Sequence, residues 1–197
     1  MLSIRNATSH PPGHPVVDNA DRILTAAATC VLDFGVDRVT LAEIARRAGV
    51  SRPTVYRRWP DTRSVLAALL TRHIAAAVSE VPGSGAGRDE LVKRVVAVAQ
   101  RLRRDDLVMA VLRSELAITY ITERLGTRQH ILIEALAAEL RAAQQTGSVR
   151  PGDPRRLAAM VLLITQSTIQ SAQLVQSILD EDALAAELAH SLNGYLS

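Results

Sequence analysis

The stretch SRPTVYRRW, Ser51 to Trp59, sets three arginines around a tyrosine and a tryptophan, behind a serine, a proline and a threonine. Guanidinium groups pair with phosphates and, bidentately, with the O6 and N7 acceptors of guanine. Aromatics are 3% of the chain, yet two of its five fall in this stretch. The charge is equally uneven. Residues 46–63 hold six Arg against one Asp, a local +5, in a chain of formal net charge +3. Residues 1–72 carry ten Arg and six acidic residues (+4), and the remainder 13 basic and 14 acidic (−1). A basic patch on a near-neutral body is the electrostatic footprint of a polyanion partner.

Helices must position this cluster, because nothing in the sequence argues for strands. At 197 residues and 48% hydrophobic the chain is long enough to bury a sizeable core. Ile23, Ala27, Val31 and Phe34 fall at helical spacing after Asp18, a capping residue, and before Gly35. A second helix opens at TLAE, where Thr40 and Glu43 are spaced as a capping box, and runs to Ala48. A third starts at Ser51 and tolerates Pro53 in its first turn, where backbone N–H groups have no helical partner. Asp61 caps a fourth, running to about Val81. Helical patterns resume at 89–103, 105–122, 127–146, 154–178 and 181–195. Residues 1–17, with Pro11, Pro12 and Pro15, read as a flexible arm whose Arg5 is a candidate for the minor groove.

Other chemistry finds little support. The glycines of PGSGAG, 82–87, follow no strand and lack the Lys-Ser/Thr of a phosphate loop, so the segment reads as a linker. The five histidines lack metal-ligand spacing and no nucleophile elbow appears, so no catalytic, metal or cofactor site is expected. Cys30, the single cysteine, sits in an apolar helical stretch and reads as a buried structural thiol. No apolar run approaches the roughly 20 residues of a membrane span, and the N-terminus has no signal-peptide core. A cytoplasmic protein with no membrane partner is expected.

Thr40–Ala48, a turn at Gly49–Val50, then Ser51–Arg58 is a helix, a tight turn and a helix. In that motif the second helix enters the major groove by its N-terminal residues. Ser51, Arg52, Pro53 and Thr54 then meet base edges, Pro53 by apolar contact alone. The Tyr56 hydroxyl and the charges of Arg57, Arg58 and Arg63 meet phosphates, which sets register rather than sequence. Arg63 lies in the first turn of the fourth helix, whose N-terminus itself favours anions. Trp59 is expected to anchor packing.

Residues 23–70, ILTAAATCVLDFGVDRVTLAEIARRAGVSRPTVYRRWPDTRSVLAALL, resemble the DNA-binding domain of the TetR family of bacterial transcriptional regulators. The resemblance is carried by the alanines and Phe34-Gly35 of the first helix, by VTLAEIARRAGVS, and by TVYRRW where the family has Thr-x-Tyr-x-x-Phe. A softer match is TGSVRPGDPRRLAAMVLLI, 146–164, against the family's Gly-to-Asp-Pro approach to helix eight. Pro53 stands where glycine is usual, which puts the approach of the recognition helix to bases in question. Trp59 for Phe and Arg63 for Lys preserve packing and charge.

The resemblance implies an all-α protein. A three-helix helix-turn-helix DNA-binding domain, 18–62, is joined through helix four to a larger helical ligand-binding and dimerisation domain, 63–197. It implies a homodimer on double-stranded operator DNA, usually repressing transcription and released by a small molecule. By carry-over Thr40, Ser51, Arg52, Thr54, Tyr56, Arg57 and Arg63 contact DNA. The dimer interface is expected on two stripes: Leu157, Val161, Ile164, Thr168, Ala172 and Val175, then Leu184, Leu188, Leu192 and Tyr195. Closure of the monomer's own core is the other reading of both. Polar residues set in apolar helix faces are the effector candidates: Arg113, Glu115, Thr119, Tyr120, His130, Glu134 and Gln166. Met109, Leu112, Leu116, Ile133 and Leu136 offer an aliphatic lining that favours a lipophilic effector. A ligand-independent dimeric DNA-binding protein is the alternative, and a cavity among the later helices separates the two.

Overall fold

The structure, a computed structural model, describes residues 18–83, 85, 87–114 and 125–197, with backbone alone for 125–129. The expected N-terminal arm lies outside them, as do Glu115, Leu116, Thr119 and Tyr120. Among the described residues the chain is wholly helical, without strands. The helices are α1 (Asn19–Phe34), α2 (Leu41–Ala48), α3 (Arg52–Arg58), α4 (Thr62–Glu80), α5 (Arg88–Arg103), α6 (Asp106–Arg113), α7 (Leu125–Gln145), α8 (Pro154–Ser171) and α9 (Glu181–Leu196). Short 3-10 turns occupy Val36–Arg38 and Ala172–Val175.

The starts of these helices follow from their caps. Asp18, Thr40, Ser51, Asp61, Asp105, Asp153 and Asp180 each accept a first-turn backbone N–H. The capping box of α2 forms only by half. Thr40 Oγ1 accepts from the Glu43 N–H at 3.2 Å, but the Glu43 carboxylate turns to Arg46 and Arg47 instead. Three charge-assisted bonds from these two arginines outweigh one to a neutral N–H. The sixth helix is shorter than its pattern predicts. It stops at Arg113, where Ser114 is extended and its Oγ donates to the Val111 carbonyl. The 154–178 pattern is α-helical to Ser171 and then tightens into the 3-10 turn, a usual form for a last turn.

Helix α1 packs on α2 and α4, and α2 on α3. Their inward residues, with Ile23, Ile44, Val55 and Leu69 almost wholly buried, belong to one apolar cluster that continues through α5, α6, α8 and α9. Cys30 is fully buried in it, and burial pushes its thiol pKa up. Helix α7 packs along α8, and α9 closes on α5 and α8. Leu157, Val161 and Ala172, with Leu184, Leu188 and Leu192, are buried inside the protomer. These six of the ten stripe residues therefore face the chain's own interior, the other reading of the stripes, while Ile164, Thr168, Val175 and Tyr195 are half-buried. The outward face of the same region carries Met160, Leu163, Leu174 and Ile178, the last two 83% and 81% exposed.

Helix α8 and the turn after it are thus apolar on two sides. For that reason Pro154–Val175, of mean hydropathy 1.3, is long and apolar enough to cross a membrane by length and composition. The expectation that no run reaches such a length is corrected here. Its inner side is committed to the core through Leu157, Ala158, Val161 and Ile169.

Candidate nucleic-acid interface and internal cavity

The turn between α2 and α3 is built at Gly49. Its left-handed backbone (φ 62°, ψ 37°) lets the Val50 N–H reach the Ala45 carbonyl and the Gly49 N–H reach that of Arg46. This is the Schellman closure of a helix end, which favours glycine. Arg22 of α1 donates to the Gly49 carbonyl at 3.4 Å, and a Cβ at Gly49 would stand 3.0 Å from that guanidinium. The third helix then leaves at a fixed angle, held by Val55 (0% exposed) and by Trp59 just beyond it, both in the core.

Everything else on α3 points outward. Arg52, Pro53, Tyr56, Arg57 and Arg58 are exposed, as are Ser51 and Thr40, and Thr54 is half-buried. Ser51 Oγ caps the helix and lies 2.7 Å from Thr54 Oγ1, so two predicted base readers share a hydrogen bond. Arg63 is exposed in the first turn of α4, behind Asp61, which accepts the Ser64 N–H at 2.6 Å. Of the nine sequence-predicted residues of this set, eight are exposed and Thr54 is half-buried; they stand at the N-cap of α2, on α3 with its cap, and in the first turn of α4.

Their charges are not equal. The +5 of residues 46–63 overstates the free charge. Arg47 is bound to Asp33 of α1 and to Glu43, and stacks at 4.5 Å over the Phe34 ring. Arg46 is bound to Glu43 at 2.6 Å. These hydrogen bonds lower the Glu43 pKa to about 2. Arg58 stands 3.6 Å from Asp18 and 5.3 Å from the Trp59 ring centre. Arg52, Arg57 and Arg63 have no acidic partner within bridging distance among the described residues, and they are the cations left to meet an outside anion.

A second site lies in the helical body. A cavity of about 210 Å³, partly open to solvent, lies between α4, α5, α6, α7 and α8. Leu70, Ile74 and Val78 of α4 form one wall. Among the described residues the other walls are aliphatic except for Arg94, Glu139, Thr165 and Gln166. Arg94 Nη1 and Glu139 Oε1 are 2.6 Å apart, so the two charges on the lining cancel. Thr165 Oγ1 donates to the Val161 carbonyl at 2.7 Å.

Of the effector candidates, Gln166 lines this cavity, with Leu112 and Leu136. Met109 and Ile133 pack with the core instead. Arg113, His130 and Glu134 are exposed and off the lining, Glu134 paired with Arg155 at 2.7 Å. Leu116 and Tyr120 lie outside the described residues. The α4 wall and the Arg94–Glu139 pair were missed. Residues 70, 74 and 78 do repeat at one-turn spacing, and Arg94 and Glu139 each interrupt an apolar stripe, which was their one legible signal.

An exposed basic recognition helix on an all-helical body defines a DNA-binding regulator of the helix-turn-helix type. Comparison with known proteins agrees. Residues 23–69 match the model of the bacterial regulatory proteins, tetR family. An uncharacterised HTH-type transcriptional regulator of Mycobacterium bovis is 71% identical over 179 residues, covering 91% of this chain and 95% of that protein. Its counterpart in Mycobacterium tuberculosis is 70% identical over the same shares. The chain belongs to the tetR family of bacterial regulatory proteins. Two solved structures share the fold at low identity. Salmonella enterica GusR has a TM-score of 0.67 at 23% identity, covering 93% of this chain and 97% of that one. Bacillus subtilis FadR in complex with stearoyl-CoA has a TM-score of 0.63 at 19% identity, covering 89% and 98%.

Proposed function

We propose that this chain is a homodimeric repressor that reads a pseudo-palindromic operator through α3 and is released by a small molecule held in the cavity. One observation carries the reading. Helix α4 bears Arg63 at the DNA-facing end and Leu70, Ile74 and Val78 in the cavity wall. Its 19 residues span about 28 Å at 1.5 Å each, so one rigid element joins both sites. A ligand that fits the cavity in only one setting of α4 shifts the population of DNA-competent spacings. In this reading 18–62 is the DNA-binding unit, and 63–197 is the effector and dimerisation unit.

Arg52 reads a base edge, with Ser51, Pro53 and Thr54 beside it. Tyr56, Arg57, Arg58, Arg63 and Thr40 hold phosphates. The outward stripe of Met160, Leu163, Leu174 and Ile178 supports the homodimer, because so many exposed apolar side chains on one face mark an interaction surface. Two-fold symmetry then dictates two half-sites. The cavity weighs against a ligand-independent DNA-binding protein, whose helical body has no need of unfilled apolar space.

The test is selection of genomic fragments at near-physiological salt, followed by footprinting. The expected result is a protected pseudo-palindrome. Absence of enrichment over random DNA would overturn the reading.

A further inference from the structure

We propose that the cavity takes an uncharged aliphatic group bearing a hydrogen-bonding oxygen, and that the Arg94–Glu139 pair discriminates against the corresponding free carboxylate. The inference rests on the effector reading above and names its ligand class.

The described lining favours hydrocarbon over planar aromatics. Among the described residues it holds Leu, Ile, Val and Ala from five helices and no aromatic or histidine ring. Branched methyl groups pack against flexible or alicyclic hydrocarbon and offer no flat face for stacking. The size narrows the class. A volume of about 210 Å³ exceeds the roughly 150 Å³ that holds benzene. It falls below the roughly 300–1,000 Å³ of sites for drug-sized ligands. A medium-length acyl chain or one small alicyclic group fits those limits.

The polar groups decide the rest. Among the described residues Arg94 and Glu139 are the charged ones on the lining, and each is the other's partner. Glu139 already neutralises Arg94, so a carboxylate that approaches the guanidinium meets a second anion beside it and gains no net counter-charge. The two side chains are 27% and 42% exposed, so the repulsion between the two carboxylates is screened only in part. An ester or hydroxyl oxygen displaces nothing. It finds Gln166, a half-buried amide on the lining with no hydrogen-bond partner among the described residues, whose NH2 donates. Thr165 has already given its proton to Val161 and keeps acceptor capacity for a ligand hydroxyl. A free ester and the acyl end of a carrier thioester share this chemistry.

The test is calorimetric titration of the full chain with methyl hexanoate, octanoate and decanoate, sodium octanoate, octanoyl-CoA and 2-naphthalenemethanol at neutral pH. At least one methyl ester is expected to bind, with octanoate about tenfold weaker or more. Tighter binding of octanoyl-CoA than of the esters assigns the group to a carrier thioester, and the reverse to a free ester. Glu139→Gln releases Arg94 and is expected to move the octanoate-to-ester affinity ratio about tenfold toward octanoate. Gln166→Leu is expected to weaken the ester selectively and serves if Glu139→Gln does not fold. Octanoate binding as tightly as every ester, preference for the naphthalene alcohol, or no ester binding at all would each overturn the inference. The same probes added to the operator complex separate the two readings. Ester binding without DNA release refutes the effector role and leaves the ligand class standing. DNA release by another chemical class, with no ester bound, refutes the ligand class alone.

Discussion

The imidazole Nδ1 of His73 lies 2.7 Å from Oδ2 of Asp105 and joins the middle of α4 to the first turn of α6. Both side chains are largely buried. Asp105 uses its other oxygen to cap α6, accepting the Leu107 and Val108 N–H groups at 3.1 Å. Burial pushes its carboxyl pKa up, but the hydrogen bonds from His73 and the α6 backbone outweigh this and hold it below the ordinary value. The two helices it ties both line the cavity, α4 through Leu70 and Ile74 and α6 through Val108 and Leu112.

Removing either partner therefore loosens the contact between two walls of the cavity. His73→Ala is expected to destabilise the chain by about 1–2 kcal/mol. Asp105→Ala should cost about 1 kcal/mol more, because it also removes the cap. A double-mutant cycle by urea unfolding checks this. Strict additivity of the two variants would mean that the bond itself contributes nothing.

Glu43 makes a prediction in pH. Its carboxylate is held at about 2 by hydrogen bonds to Arg46 and Arg47. A depressed carboxylate contributes stability that is present above its unfolded value near 4.5 and is lost as pH falls toward 2. Thermal melts of wild type and Glu43→Gln should differ most at pH 5–7, with the gap closing below about pH 4. A gap constant down to pH 2.5 would show that the carboxylate charge is not the source.

The division of the arginines into free and bound sets a salt prediction. DNA affinity should fall steeply with ionic strength through counterion release. Arg63→Gln should reduce the slope of log K on log salt by about one. Arg46→Gln should change it less, since Glu43 already neutralises that side chain. Arg52→Ala should relax base preference at one position per half-site, whereas Tyr56→Phe should weaken binding to all sequences alike. Equal slopes for the Arg63 and Arg46 variants in competition binding would contradict the assignment.

Helix α8 offers a paired test of its two faces. Leu163 is 58% exposed and Val161 0%. Leu163→Glu should leave a folded chain that sediments as a monomer and binds operator weakly. Val161→Glu should fail to fold, because it buries an unpaired charge at a cost of several kcal/mol. A dimeric Leu163→Glu protein would move the interface elsewhere.

The helices themselves were legible because their causes are local. Asp18, Thr40, Ser51 and Asp61 cap where the sequence places them, Gly49 turns where it stands, and apolar residues recur at helical spacing. The helix-turn-helix was legible for the same reason, since all of its parts lie between Thr40 and Trp59. What tertiary structure alone decided is pairing between distant parts of the chain. Charge counting cannot tell Arg47, consumed by Asp33 and Glu43, from Arg52, which is free. Periodicity finds an apolar stripe such as Leu157–Val161, but inward and outward faces look alike when both are apolar, and only packing against α7 and α9 shows which one is buried. The cavity is farther still from sequence. It is space left between five helices, and the ion pair on its described lining joins residues 45 positions apart.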